Sequence, residues 1–162
     1  MFGFLKKNKI NSVELHSICN GEVLTIENVP DKVFASKMLG DGVGFSCAEE
    51  QIYAPCDGKI IMVANTNHAI GIRLSNDAEV LIHVGLDTVN LGGKGLTPLV
   101  KVGEKIKCGQ PIMKIDQKYM KDNNVDLTSP MVLTTSEGYE LNILNVEKTV
   151  SLDDTVMEIR RI

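Results

Sequence analysis

A succession of short β-rich runs, with turn residues between them, most constrains what this chain can fold into. Residues 21–26, 58–63, 69–74, 80–84, 111–115 and 155–159 are such runs. Gly, Asn, Asp and Pro separate them at short intervals, and no long helical period interrupts the series. Many short strands with frequent turns predict an all-β fold, an antiparallel β-sandwich or a barrel-like relative of it. Only two helix candidates stand out, residues 30–39 and 117–123, and both are short. A weak internal repeat aligns SICNGEVL at residues 17–24 with APCDGKII at residues 54–61. Each copy runs from a tight turn into an apolar strand. The two could form a pseudo-symmetric sandwich, or be unrelated β-turns.

The 162 residues are 43% apolar, enough for a sizeable core in a single domain spanning residues 11–162. Only 4% are aromatic and none is Trp, so the core must be built from Ile, Val, Leu and Met. A net charge of -4 supplies no basic field for nucleic acid. Cys19, Cys47, Cys56 and Cys108 contain no CxxC pair, and no apolar signal segment precedes them. Reduced structural thiols in a cytoplasmic protein are therefore expected. Residues 1–10, where Phe2, Phe4 and Leu5 adjoin Lys6, Lys7 and Lys9 in sequence, are expected to be a flexible segment. That composition could make a weak contact with an anionic membrane surface, although a disordered tail is the simpler reading.

Histidine is scarce, with only His16, His68 and His83. Taking Asn76-Asp77 as a two-residue hairpin turn pairs Ser75 with Ala78 and places His83 opposite Ile70. His68 is then a diagonal neighbour of His83 on one face, about 7–8 Å away, and Thr66 continues that face. A slip of one residue would send the two imidazoles to opposite faces. His83 lies in the apolar run VLIHVGL, where a lone histidine is more often a satisfied core residue. Desolvation would keep this imidazole neutral and preserve a lone pair for nucleophilic attack. A second His and a Thr hydroxyl could stabilise added negative charge without a metal.

Other constellations are weaker. The stretch GDGVG at residues 40–44 lacks the lysine and helix of a phosphate loop. Neither His-x-His nor His-Glu-x-x-His occurs, which argues against a zinc peptidase on a similar sandwich. Lys114 sits inside an apolar strand rather than on a hairpin turn, which argues against a modified lysine of the biotinyl type.

Five segments, in order, resemble the glucose-class enzyme IIA of the bacterial phosphoenolpyruvate-dependent sugar phosphotransferase system. They are Val29-Pro30-Asp31-Lys32-Val33-Phe34-Ala35, Leu39-Gly40-Asp41-Gly42, Ala54-Pro55-Cys56-Asp57-Gly58, Thr66-Asn67-His68-Ala69 and His83-Val84-Gly85-Leu86-Asp87-Thr88-Val89. The resemblance implies an antiparallel β-sandwich with few short helices. It implies phosphorylation of His83 at Nε2 by the histidine-containing phosphocarrier protein, then transfer to a cysteine of an enzyme IIB domain. His68 matches the second active-site histidine, and Thr66 the residue that orients it. Asp31, Val33, Asp87 and Val89 match the rim that contacts both partners. No cofactor is implied and no metal is required, beyond an incidental zinc between His68 and His83. Where the family commonly has Phe, this chain has Val84 and Ile70, and Lys32 and Ser36 also depart from the usual pattern. A binding protein that only regulates its partners remains the alternative to a carrier.

Overall fold

The computed structural model describes residues 11–162, which form fourteen strands and two short α-helices. In chain order the strands are β1 (Ser12–His16), β2 (Gly21–Thr25), β3 (Asp41–Cys47), β4 (Gln51–Tyr53) and β5 (Gly58–Val63). Next come β6 (Ala69–Arg73), β7 (Glu79–His83), β8 (Leu96–Pro98), β9 (Lys105–Ile106) and β10 (Pro111–Ile115). Last are β11 (Ser129–Leu133), β12 (Tyr139–Ile143), β13 (Lys148–Val150) and β14 (Thr155–Arg161). The helices are α1 (Lys32–Ala35) and α2 (Gln117–Asp122). The segment 1–10, with its expected membrane-surface contact, lies outside the described residues.

Every strand pairing is antiparallel. An eight-stranded sheet has the order β13-β2-β3-β11-β7-β6-β5-β9, and two three-stranded sheets have the orders β1-β14-β12 and β4-β10-β8. Side chains from all three sheets, among them Phe45, Ile52, Ile82, Met113 and Ile159, meet in one fully buried core. The result is the antiparallel β-sandwich the strand pattern predicts. Phe34 and Phe45 are the buried phenylalanines among the described residues, and aliphatic, Met and Cys side chains fill the rest.

The internal repeat has a structural counterpart. β2 and β5, which carry its two copies, stand second from opposite ends of the large sheet. The segments leading into them face each other: His16 N–H donates to Pro55 C=O at 2.8 Å, and Tyr53 N–H to Ile18 C=O at 2.9 Å.

The cysteine expectation is corrected. Cys19 and Cys47 form a disulfide, with Cα atoms 6.1 Å apart, while Cys56 and Cys108 are free. β2 pairs with β3 so that Gly21 lies opposite Cys47, which brings Cys19 within bridging distance. Linear spacing carries no trace of that pairing, because strand register sets it.

The hairpin register is also corrected, by one residue. Arg73 pairs with Glu79, and Leu74 N–H donates to Ala78 C=O at 2.8 Å, so the turn is Ser75-Asn76-Asp77. Asn76 is buried and bonds sideways: its Nδ2 donates to the carbonyls of Asn11 and Ile159 at 2.9 and 3.0 Å. Asp77 alone takes the left-handed conformation, at φ 67°. A side chain committed to the Asn11 and Ile159 carbonyls cannot serve as one of two exposed turn residues.

Candidate functional site

β6 and β7 end side by side, and the two histidines gather at that end. His83 closes β7 opposite Ala69, and Val84 N–H donates to the His68 carbonyl at 2.7 Å. Strict strand alternation in this register would separate the two side chains. They nevertheless meet, with ring centroids 4.9 Å apart and planes at 62°. His68 lies one residue before β6, just after Asn67 at φ 63°, so strand alternation does not govern its direction. The Asn67 amide holds this turn against the Leu96 carbonyl at 3.1 Å.

The backbone after His83 is equally shaped for the ring. Gly85 sits at φ 75°, and a Cβ there would lie 2.6 Å from Thr88 Cγ2. Gly85 N–H donates to Ser129 Oγ at 3.1 Å, and the Thr88 hydroxyl donates to the Val84 carbonyl at 2.6 Å. The bend so fixed turns the Gly85 carbonyl toward the imidazole, 2.7 Å from His83 Nδ1. A carbonyl can only accept, so Nδ1 carries the proton and Nε2 keeps its lone pair in the neutral ring. Phe34 packs edge-on against the same ring, with centroids 5.1 Å apart.

Burial is the main influence on both histidines. It pushes the pKa of His83 down, helped by the neighbouring His68 and opposed by the Gly85 carbonyl, Asp31 and Asp87. It likewise pushes His68 down, against a hydrogen bond to the Thr66 backbone. Both rings are therefore neutral at pH 7. Thr66 Oγ1 also lies 2.5 Å from His68 Nδ1, which anchors that ring from behind.

The remaining sequence-derived residues flank the pair. Asp31 caps α1, its Oδ1 accepting from the amides of Val33 and Phe34 at 2.9 and 3.3 Å. That cap leaves Val33 42% exposed while Phe34 turns inward to His83. Asp87, at φ 56°, begins a 3₁₀ turn over Thr88–Leu91 that presents Val89 50% exposed. The arrangement is a pair of neutral imidazoles in an apolar surface, with carboxylates at its edge. Chemically, it offers one outward lone pair and a second ring nitrogen beside it.

Phe34, Asn67, Thr88 and Ser129 support the site without having been singled out in the sequence. Phe34, Asn67 and Thr88 lie within the recognised segments, where contact with His83 and the bracing of the two turns left no separate mark. Among the described residues, no group of three or more His, Cys, Asp or Glu side chains could hold a metal ion. No helix among them is long and apolar enough to cross a membrane.

The sequence model of one family, described as "phosphoenolpyruvate-dependent sugar phosphotransferase system, EIIA 1", matches residues 13–139, a span that includes both histidines. The chain belongs to this EIIA family. The protein named "PTS system glucose-specific EIIA component" in two strains of Staphylococcus epidermidis is 37% identical over 160 residues. That alignment covers 98% of this chain and 96% of the relative. Among solved structures, glucose permease IIA from Mycoplasma capricolum superimposes with a TM-score of 0.84 at 30% identity. The match covers 92% of this chain and 96% of that one. As an EIIA, the chain is a phosphotransferase component of a sugar transport system.

Proposed function

We propose that this EIIA accepts a phosphoryl group on His83 Nε2 from the histidine-containing phosphocarrier protein and passes it to a cysteine of an enzyme IIB domain. One observation carries the reading: the 2.7 Å bond from His83 Nδ1 to the Gly85 carbonyl leaves Nε2 as the outward lone pair. In the accepting step, that lone pair attacks phosphorus in line. The donor's N–P bond breaks, and its electron pair returns to the donor imidazole. The proton stays on Nδ1, hydrogen-bonded to the Gly85 carbonyl, throughout. In the donating step, the IIB thiolate attacks phosphorus and the Nε2–P bond breaks. Protein groups need mainly to align donor and acceptor and to stabilise charge on the phosphoryl oxygens.

His68 is the charge-stabilising group in this reading. The Thr66 hydroxyl, 2.5 Å from Nδ1, holds the ring so that its Nε2 faces the phosphoryl oxygens. The reading includes no cofactor and no metal. Val33, Val89, Asp31 and Asp87 form the rim on which both partners dock in turn, as suits transient complexes on one apolar patch. Exchange with a soluble phosphocarrier places the protein in the cytoplasm.

Incubation with phosphoenolpyruvate, enzyme I and the phosphocarrier protein should add one acid-labile, base-stable phosphate. Mass mapping should find it on His83. Phosphate mapped to Ser, Thr or His68 would sink the assignment, and no transfer at all would favour a protein that only binds partners.

A further inference from the structure

On the same face as His83, three basic residues stand side by side across three strands. Lys105 of β9 lies opposite Lys59 of β5, and Lys59 lies opposite Arg73 of β6. Like charges directly opposite each other destabilise a sheet. The pairing of Lys59 with Lys105 therefore carries a local cost in the sheet. Arg73 pairs with Glu79 at 3.0 Å, whereas Lys59 and Lys105 make no ion pair among the described residues. The row borders a groove of about 330 Å³ whose floor includes the buried Leu74 and Ile106.

Strand geometry relates this row to the histidines. Ala69, opposite His83, shares a face of β6 with Gly71 and Arg73. Four residues of strand set Arg73 about 13 Å from the level of His83. Between them, Met62 lies opposite Gly71 and is 36% exposed, so the intervening surface is apolar. Asp87 follows His83 in the other direction, past the end of β7. The face is thus bipolar, with carboxylates beyond the histidines and an excess of basic groups behind them, where Glu79 offsets Arg73 and Asp57 lines the groove.

We propose that Lys59, Arg73 and Lys105 are the basic end of the docking face, engaged by a cluster of carboxylates on the protein that exchanges phosphate with His83. This rests on the reading of His83 as the phosphoryl acceptor. An interface of about 800 Å² per partner, centred on His83, spans a disc of roughly 16 Å radius. With strands about 4.8 Å apart, Arg73 lies inside it, Lys59 at its rim and Lys105 just outside, about 19 Å from His83. Charges at a rim act mainly on the association rate and its salt dependence. Opposite signs at the two ends also fix the rotation of a partner about His83, which in-line transfer requires.

The test compares wild-type protein with the Lys59→Glu/Lys105→Glu double variant in both half-reactions across a range of ionic strength. A Lys121→Glu/Lys148→Glu variant, with the same net charge but changed on α2 and β13, is the control. At low salt, kcat/KM should fall about tenfold in at least one half-reaction for the first variant only, with kcat at saturation retained. The difference should vanish near 1 M salt, where screening extends over about 3 Å. Wild-type phosphorylation on His83 with identical kinetics for both variants would overturn the docking role and leave the carrier reading intact. Absence of phosphate from His83 in the wild type would overturn both. Unchanged kinetics with weakened self-association, measured by sedimentation, would assign the row to a second copy of the chain instead.

Discussion

His83 faces His68 at one end of the central hairpin, while Cys108 faces His16 beside the buried Cys56, with Sγ and Nδ1 3.5 Å apart. Either pair could be taken for a nucleophile with a helper. Burial is the largest influence on the nucleophile in both places. At the first it pushes the pKa of His83 down. At the second it pushes the Cys56 thiol up to about 12, aided by Cys108 and Asp57, and raises Cys108 alongside Asp57 and Asp153. In each case the neutral form is favoured. A neutral imidazole is the nucleophile, whereas a neutral thiol is not. The same desolvation arms one site and disarms the other. Hydrogen bonds reinforce the contrast: the Gly85 carbonyl accepts from Nδ1–H, a proton His83 need not lose, while the Pro55 carbonyl accepts at 3.5 Å from the Cys108 thiol.

The strongest way to break this comparison is to remove each nucleophile in turn. His83→Gln should abolish phosphorylation, because no other lone pair occupies the in-line position. Cys108→Ala should leave both half-reactions unchanged. Radiolabel transfer from the phosphocarrier protein measures both variants. Residual labelling of His83→Gln, or loss of transfer in Cys108→Ala, would overturn the contrast.

His68→Gln sharpens the comparison at a smaller scale. An amide still donates a hydrogen bond, so acceptance from the phosphocarrier should survive at a reduced rate. It cannot become cationic, and so cannot offset charge as the phosphoryl group leaves for the IIB cysteine. Loss of one such group costs about 3–4 kcal/mol, or 10²–10³ in rate. The variant should therefore charge, deliver poorly and accumulate as phosphoprotein. Rapid-quench measurements of each half-reaction decide the matter. Equal slowing of both would mean that His68 only maintains the turn.

Much of the fold and of the His83 site was legible in the sequence, for reasons that differ by residue. Runs such as β5 and β10 declare themselves because apolar residues sit between strong turn formers. The helix expected over 30–39 shrinks to Lys32–Ala35 because Asp31 caps its start and Lys37, at φ 63°, ends it. His68 and His83 were expected together on a register one residue from the true one. They meet because His68 leaves the strand, a backbone event that pattern reading does not see. The Cys19–Cys47 bond stayed hidden because it depends on β2–β3 register. Phe34 read as one more apolar residue, since its contact with His83 is tertiary.

The smallest expected effect is on stability against pH, and it divides between the two sites. The pKa of His83 is lower in the fold than its ordinary value, about 6.5. Below that value the unfolded chain binds protons that the folded chain refuses, so stability falls as pH drops from about 6.5 toward the folded value. His68 adds to the same acid limb, its pKa being lowered in the same direction. Cys56 behaves oppositely, rising from 9.0 to about 12 in the fold. Above pH 9 the unfolded chain releases a proton that the folded chain keeps, so stability falls as pH rises through that window. At pH 10 the Cys56 contribution amounts to about 1 kcal/mol, since each pH unit into the window is worth up to 1.4 kcal/mol. Urea unfolding of wild type, His83→Gln and Cys56→Ala from pH 5 to 10 separates the two limbs. His83→Gln should flatten the acid side alone, and Cys56→Ala the alkaline side alone, whatever each does to stability at pH 7. A His83→Gln curve parallel to wild type below pH 6.5 would mean that the fold tolerates the charged ring. The lone pair at Nε2 would then owe nothing to burial, and the distinction between the armed and the disarmed site would have to rest on hydrogen bonding alone.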